Sequence, residues 1–506
     1  MTNSSDDEYK PGVTWQEKLD LPSADHNAAR DVEAFDDIEE KKLIRKIDWR
    51  LLPILGALYS ISLIDRTNIS NARVAGMGTD LGLNIGDRYT VALVVFFPTY
   101  FLFELPSNIV LRKVGSANWL AFIAFSWGSV MIGQGFVKRW QMLAVCRALL
   151  GFFEAGFFPG CVYLITCWYK RREMQKRLGG FYLVAVGVGG IANILAYGIM
   201  QMEGTGGIRG WQWIFILEGI LTCVVAIGAW WLILDFPDRA AKQGFLTEHQ
   251  ANYVLRRIED DRGDSEADPL TWVKFVKHLG DLKLWAFCTL FMSTTVPVYA
   301  FSYFTPFILV GMGKWHQLEF NPKFTLPGYS AGAANALSAP PAIVAMVAAF
   351  GFAWIGDKYT IRAPIIAAQS LICLIGLMLV AYVQSNSVRY FGLFLGIMGS
   401  QGNVPAILTY QANNIRMQSK RSTASALQIG FGAIGGIIAS TVFRQRDAPG
   451  YAVGLWVSAG LQFYTLAVLA VTSWYFWITN KKADRQVANG ELVEAIEGQV
   501  GFRYTI

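Results

Sequence analysis

Apolar residues in this chain come in blocks of about twenty, the length a helix needs to cross the hydrocarbon core of a bilayer. Short polar connections separate the blocks. They fall near residues 48–68, 89–111, 117–137, 140–166, 178–202 and 212–235. After a polar interval they resume near 285–310, 331–355, 363–383, 389–411, 422–443 and 453–478. The pattern predicts an all-α membrane protein with twelve transmembrane helices in two six-helix pseudo-repeats. The expected organisation is a disordered polar tail over 1–40, a six-helix half over 41–235 and a linker over 236–284. A second six-helix half over 285–480 and a tail over 481–506 follow. Within the linker, Thr247 and Gln250 stand at the spacing of a capping box, so a short amphipathic helix is predicted to start there.

Composition supports this reading. Hydrophobic residues make up 53% of the 506 and charged residues only 16%, against about 25% charged in soluble domains. The net charge of +6 is mild, and the basic residues sit between apolar blocks, which argues against nucleic acid as a partner. The six cysteines show no C-x-x-C pair and the four histidines no metal-ligand spacing. Neither a metal nor a cofactor is therefore expected, and without a nucleophile–base pair the chain is not read as an enzyme. The polar, acidic start "MTNSSDDEYKPGVTWQEKLD" lacks the apolar core of a cleavable signal peptide.

Basic residues cluster in alternate connections: "KKLIRKIDWR" (41–50), "RK" (112–113), "KRREMQKR" (170–177), Lys358 with Arg362, "RMQSKR" (416–421) and "KKADR" (481–485). The positive-inside rule then places these connections, the linker and both termini in the cytosol. Lys138, Arg139, Arg444 and Arg446 are the exceptions on the opposite side.

The halves echo one another: "VGVGGIAN" (186–193) in the fifth span corresponds to "GAIGGIIAS" (432–440) in the eleventh. That suggests a transporter with its site at the midplane between the halves. Residues 430–435, "GFGAIG", match the G-x-G-x-x-G dinucleotide fingerprint but lie inside an apolar span after no strand. Small residues at that spacing are read instead as letting helices approach closely.

Ionisable groups within spans are costly, and each is a site candidate. The first span carries Asp65 and Arg66 in "SLIDRTNIS", and the fourth carries Arg147 and Glu154 in "CRALLGFFEAG". Nearly two helical turns separate Arg147 from Glu154, placing them on one face about 10 Å apart, with Gly151 between them leaving room for a neighbour or ligand. Asp65 and Arg66 point about 100° apart and do not share a partner. One arrangement pairs Asp65 with Arg147 and aims Arg66 at the cavity. A static Arg147–Glu154 pair that only ties helices together is the structural alternative.

The four groups sum to zero charge when both carboxylates are ionised, and only Asp65 and Glu154 can carry protons. Protonating both leaves two uncompensated guanidiniums, which match an organic carboxylate. Protons and an anion entering together is the mechanism this arithmetic proposes. Glu104 and Glu218 also lie near spans and are read as packing or gating groups. Tyr100, Tyr182, Tyr299, Tyr303 and Tyr410 are aromatic candidates for stacking on a ringed substrate.

Several long ordered stretches resemble one family. They are "LIDRTNISNARVAGM" (63–77), "FELPSNIVLRK" (103–113), "RALLGFFEAGFFPG" (147–160), "GWQWIFILEGI" (210–220), "DFPD" (235–238) and "NNIRMQSKRSTASALQIGFGAIGGIIAS" (413–440). Over roughly residues 40–480 the chain resembles the major facilitator superfamily, and within it the anion:cation symporter branch. It looks most like the fungal allantoate-permease-like carriers of nicotinate, pantothenate and other carboxylates. The resemblance implies an alternating-access symporter, with Asp65 and Glu154 as proton carriers, Arg66 on the substrate carboxylate and Arg147 beside it. "WIGDKYTIR" (354–362) is similar to the superfamily's cytosolic gate motif, with Asp357, Lys358 and Arg362 in place. The equivalent "PSNIVLRKVGS" (106–116) lacks the acidic residue. The expectation is a monomeric importer of a small organic anion, driven by protons, in the plasma membrane. Export of an acidic secondary metabolite is the alternative; the absence of a Gly-Pro pair in the fifth span disfavours it.

Overall fold

The computed structural model describes residues 37–240, 244–262, 272–312, 330–359, 361–415, 417–444, 447, 451–489, 496–497 and 501–505. The expected tail over 1–40 lies outside them except for its last four residues. The first half contains α1 (Asp37–Ala72), α2 (Arg88–Val94), α3 (Phe96–Val114), α4 (Ser116–Gln134), α5 (Trp140–Glu154), α6 (Phe157–Trp168), α7 (Arg171–Met200) and α8 (Gly210–Leu232). The linker contributes α9 (Glu248–Arg262) and α10 (Trp272–Leu279). The second half contains α11 (Leu282–Met312), α12 (Ala331–Tyr359), α13 (Ala363–Tyr382), α14 (Asn386–Asn414), α15 (Gln418–Val442) and α16 (Ala452–Ala488).

Among the described residues nine helical stretches are long and apolar enough to cross a membrane, and the bent pair α2–α3 makes a tenth. The long helices α4 and α7 occupy the two remaining expected positions; α4 packs on α8, and α7 packs on α1 and α12. Two expected ends move. α1 begins at Asp37, so "KKLIRKIDWR" is helical rather than a loose connection, and α16 runs on through "KKADR" to Ala488. Neither stretch holds a Gly or Pro to stop the helix, and Lys, Leu, Ile and Arg all propagate it. The fourth span is broken at Ala155–Gly156, between α5 and α6. Asp65 and Arg66 are accordingly well inside α1 rather than at its end, because the helix continues to Ala72 and then through a π-turn, Arg73–Met77.

Close packing uses small residues where the sequence offers them. Between α3 and α4, Gly115 takes φ 102°, and a Cβ there would come within 2.7 Å of Asp235 Oδ2. The same carboxylate accepts hydrogen bonds from the backbone N–H and hydroxyl of Ser116. On α15, Gly430 and Gly436 receive the rings of Phe101 and Phe97 from α3, while Gly432 and Gly435 receive Phe291 and Thr295 from α11. The glycine-rich stretch is thus a helix-packing surface.

The halves meet along α1 with α11, α7 with α12, and α2 and α3 with α15. Towards the end away from the basic loops, Ser70 Oγ donates to the Tyr303 carbonyl at 2.7 Å. There Tyr89 packs edge-on to Phe304, and Arg73 lies over both Tyr89 and Phe307.

At the basic end each half carries its own clasp. The capping box holds: Gln250 N–H donates to Thr247 Oγ1 at 3.2 Å, and Thr247 N–H to Gln250 Oε1 at 3.3 Å. It starts α9, whose buried Ala251, Val254 and Ile258 face the core. Arg257 then reaches Glu40 of α1 at 2.6 Å and Glu173 of α7. Burial opposes the Arg257 charge, but the two carboxylates outweigh it and raise its pKa. In the second half, residues 496–497 and 501–505 lie across the ends of α11, α14, α15 and α16. Glu497 bridges Lys283 and Lys420, Tyr504 stacks on Phe476 at 4.2 Å, and Asn480 and Asn414 make paired hydrogen bonds to the backbones of Tyr504 and Thr505 respectively.

Candidate functional site

Asp65, Arg66, Arg147 and Glu154 are all buried near the middle of the first half. Gly151 brings α5 against α3, since a Cβ there would collide with the Phe96 carbonyl and Thr99 Oγ1. The room between Arg147 and Glu154 is therefore taken by a neighbouring helix. That approach sets the Phe96 ring among the cations: Arg66 Cζ lies 5.2 Å from its centroid and Arg147 Cζ 5.3 Å. Arg66 also lies 4.8 Å from the Tyr100 ring. Cations over aromatic faces gain electrostatic attraction without a counter-ion.

The expected Asp65–Arg147 pair is not what forms. Arg66 Nε pairs with Glu154 Oε1 at 2.6 Å, and the Ser62 hydroxyl donates to the same oxygen. Asp65 Oδ2 instead accepts from Trp127 Nε1 of α4 at 3.2 Å and Thr222 Oγ1 of α8 at 3.3 Å. Helical rotation explains the exchange. Ser62 and Arg66 are four residues apart and share the face towards α5, whereas Asp65 and Asn68 share the face towards α4 and α8. The static Arg147–Glu154 pair does not form either: all three Arg147 nitrogens are buried without a hydrogen-bond partner among the described residues.

Glu218 belongs to the same cluster. Asn68 Nδ2 donates to its Oε2, and the Thr222 hydroxyl contacts both the Glu218 carbonyl, at 2.8 Å, and Asp65. Glu104 is buried within electrostatic reach of Arg66. Counting these two carboxyls changes the charge sum from zero to −2 when all are ionised. Net charge at membrane depth is costly, so two protons would restore neutrality. Among the described residues, Asp65 Oδ1, Glu154 Oε2 and Glu218 Oε1 accept no hydrogen bond.

Sequence reasoning did not single out Ser62, Asn68, Phe96, Trp127 or Thr222 for the site. Spacing carries a signal for some of them: Glu218 and Thr222 are four apart on α8, as Ser62 and Arg66 are on α1. Of the aromatic candidates, Tyr100, Tyr299 and Tyr303 gather near the arginines, with Tyr299 stacked on Tyr303 at 5.8 Å. Tyr410 packs elsewhere, on Phe287 and Phe476. The Tyr182 side chain lies outside the described residues.

The expected gate residues lie apart from this cluster, at the basic end of α12. Lys358 sits over the rings of Trp354, at 4.8 Å, and Tyr359, at 5.4 Å. Arg362 folds against Gly356, where a Cβ would come within 3.0 Å of its Nη1. The Asp357 side chain lies outside the described residues. No group of His, Cys, Asp and Glu among the described residues has the arrangement of a metal site.

The family profile of the Major Facilitator Superfamily matches residues 55–440. MFS transporter prlL of a fungal species (strain NRRL 50135) is 31% identical over 476 residues, covering 92% of this chain and 91% of that protein. The high-affinity nicotinic acid transporter of Saccharomyces cerevisiae is 27% identical over 445 residues, covering 88% and 79%. Among solved structures, the partially occluded inward-open xylose transporter XylE from E. coli superposes with a TM-score of 0.60 at 13% identity. The match covers 83% of this chain and 96% of that one, and it supports the fold. With the helical order and seam described above, these matches place the chain in the Major Facilitator Superfamily, as a multi-pass integral membrane transporter of fungal type.

Proposed function

We propose that the protein is a proton-coupled importer of a small organic anion, a carboxylate of nicotinate or pantothenate type, in the anion:cation symporter branch. The observation that carries this is the Arg66–Glu154 pair at 2.6 Å beside an Arg147 with no hydrogen-bond partner. Protonating Glu154 removes the Arg66 counter-charge, and the two guanidiniums then favour an anion. Asp65, held by neutral donors alone, is the second proton carrier, and Arg66 and Arg147 are the substrate-binding cations. The named nicotinic acid carrier among the relatives supports a carboxylate.

In this reading the basic end is cytosolic and the membrane is the plasma membrane. The contacts around Ser70, Tyr89 and Arg73 then close the outer side, and Asp357, Lys358 and Arg362 belong to the inner gate. Rocking of the two halves about the site gives alternating access. The test is uptake of a labelled carboxylate panel in transporter-deficient yeast at acidic and neutral external pH. Acid-stimulated accumulation, abolished by Asp65→Asn and by Arg66→Ala, supports symport. Lower cell content of an acid in expressing cells overturns it in favour of export.

A further inference from the structure

Resting on that reading, we infer that the anion is gripped across the two halves, its carboxylate held by Arg147 of α5 and by the Tyr303 hydroxyl of α11. Both groups are fully packed, at 0% and 1% exposure, and both lack partners: every Arg147 nitrogen and the Tyr303 hydroxyl stand without a hydrogen bond. A chain of ring contacts joins their places: Arg147 lies over Phe96, Phe96 meets Phe97 at 5.4 Å, Phe97 meets Tyr299 edge-on at 5.2 Å, and Tyr299 stacks on Tyr303. Tyr303 is positioned by contacts other than its hydroxyl. Its carbonyl accepts from Ser70 Oγ at 2.7 Å, and its ring stacks on Tyr299.

Guanidinium and phenol are thus two buried donors, one from each half, neither of which has an acceptor among the described residues. Buried donors are ordinarily satisfied, so what is missing is an acceptor that arrives from outside. A carboxylate has two oxygens with about four lone-pair sites, enough to take the guanidinium fork and one phenol O–H together. The rings of Phe96, under Arg147, and Tyr299, stacked on Tyr303, flank the same place and suit an aromatic acid. Arg66 joins the two donors once Glu154 gives it up, whereas Arg147 already has no partner among the described residues. Because Arg147 and Tyr303 sit on opposite halves, the bound anion draws the halves together. Binding and closure become one event, with substrate as the bridge.

The test uses the purified full-length protein and thermal stabilisation by nicotinate, benzoate and pantothenate, with chloride as the inorganic control. Wild type should be stabilised by at least one carboxylate and not by chloride. Tyr303→Phe removes one oxygen and should melt normally without ligand, yet bind that carboxylate about tenfold more weakly. Arg147→Lys keeps the charge but loses the fork and should weaken binding at least as much. Tyr410→Phe, far from the site, should bind as wild type does. Tyr303→Phe binding as tightly as wild type would overturn the cross-half grip while leaving the anion-carrier reading standing. A wild type that binds none of the carboxylates would overturn both.

Discussion

Arg66 and Arg147 lie over the same phenylalanine ring, at 5.2 and 5.3 Å from the Phe96 centroid, yet only Arg66 has a carboxylate partner. Two cations in one buried cluster are thereby given different states. One is neutralised by Glu154 and one is left available. A static ion-pair network would neutralise both, so the inequality is what makes the cluster a candidate machine rather than a staple.

Glu154→Gln is expected to imitate the protonated carboxyl permanently. Arg66 then loses its counter-charge, so substrate exchange between the two sides of a proteoliposome should continue. Accumulation driven by a pH gradient should fall at least about tenfold. Gradient-driven accumulation at the wild-type level would remove Glu154 from the coupling mechanism.

Gly151→Ala tests how the site is built. The added methyl meets the Phe96 carbonyl and Thr99 Oγ1, so α3 has to move away from α5. Overpacking of this kind costs about 1–3 kcal/mol. A lower melting temperature and weaker carboxylate binding are expected together. Normal melting with normal binding would show that α3 does not need this close approach.

Arg257→Ala should free α9 from α1 and α7, because Arg257 is nearly buried and pairs with both Glu40 and Glu173. The two carboxylates keep partial solvent access, which limits the loss to about 1–3 kcal/mol. Hydrogen exchange of residues 248–262 should accelerate while that of α11 to α16 stays unchanged. Equal acceleration in both halves would mean that the two clasps are not independent.

The second clasp should be acid-sensitive. Burial would raise the Asp281 pKa, but Lys420, at 2.5 Å, and Lys283 outweigh it and hold the carboxyl below its ordinary value. A depressed carboxyl stabilises above its unfolded pKa of about 4, and that stabilisation is lost as pH falls through the lower folded value. Corrected for intrinsic rates, exchange of residues 501–505 should therefore rise below about pH 4. Asp281→Asn should make it fast at every pH. A pH-independent wild type would rule Asp281 out as the sensor.

The helices, their order and the capping box at Thr247 were legible in the chain because each depends on local pattern: apolar length, Pro and Gly positions, and the spacing of a few polar residues. The charged candidates were legible for the same reason, since an ion inside an apolar run is conspicuous. The partners were not. Whether Asp65 meets Arg147 or Trp127 depends on the rotation of α1 about its own axis. That rotation is set by packing on α5, α4 and α8, elements distant in sequence. The recruitment of Glu218 beside Asp65, the unpaired state of Arg147 and the placing of Tyr303 from the other half arise in the same way. Periodicity determines which residues share a face of a helix. Only the tertiary packing decides what that face meets, because close-packed helices settle on one mutual rotation from many that the pattern allows.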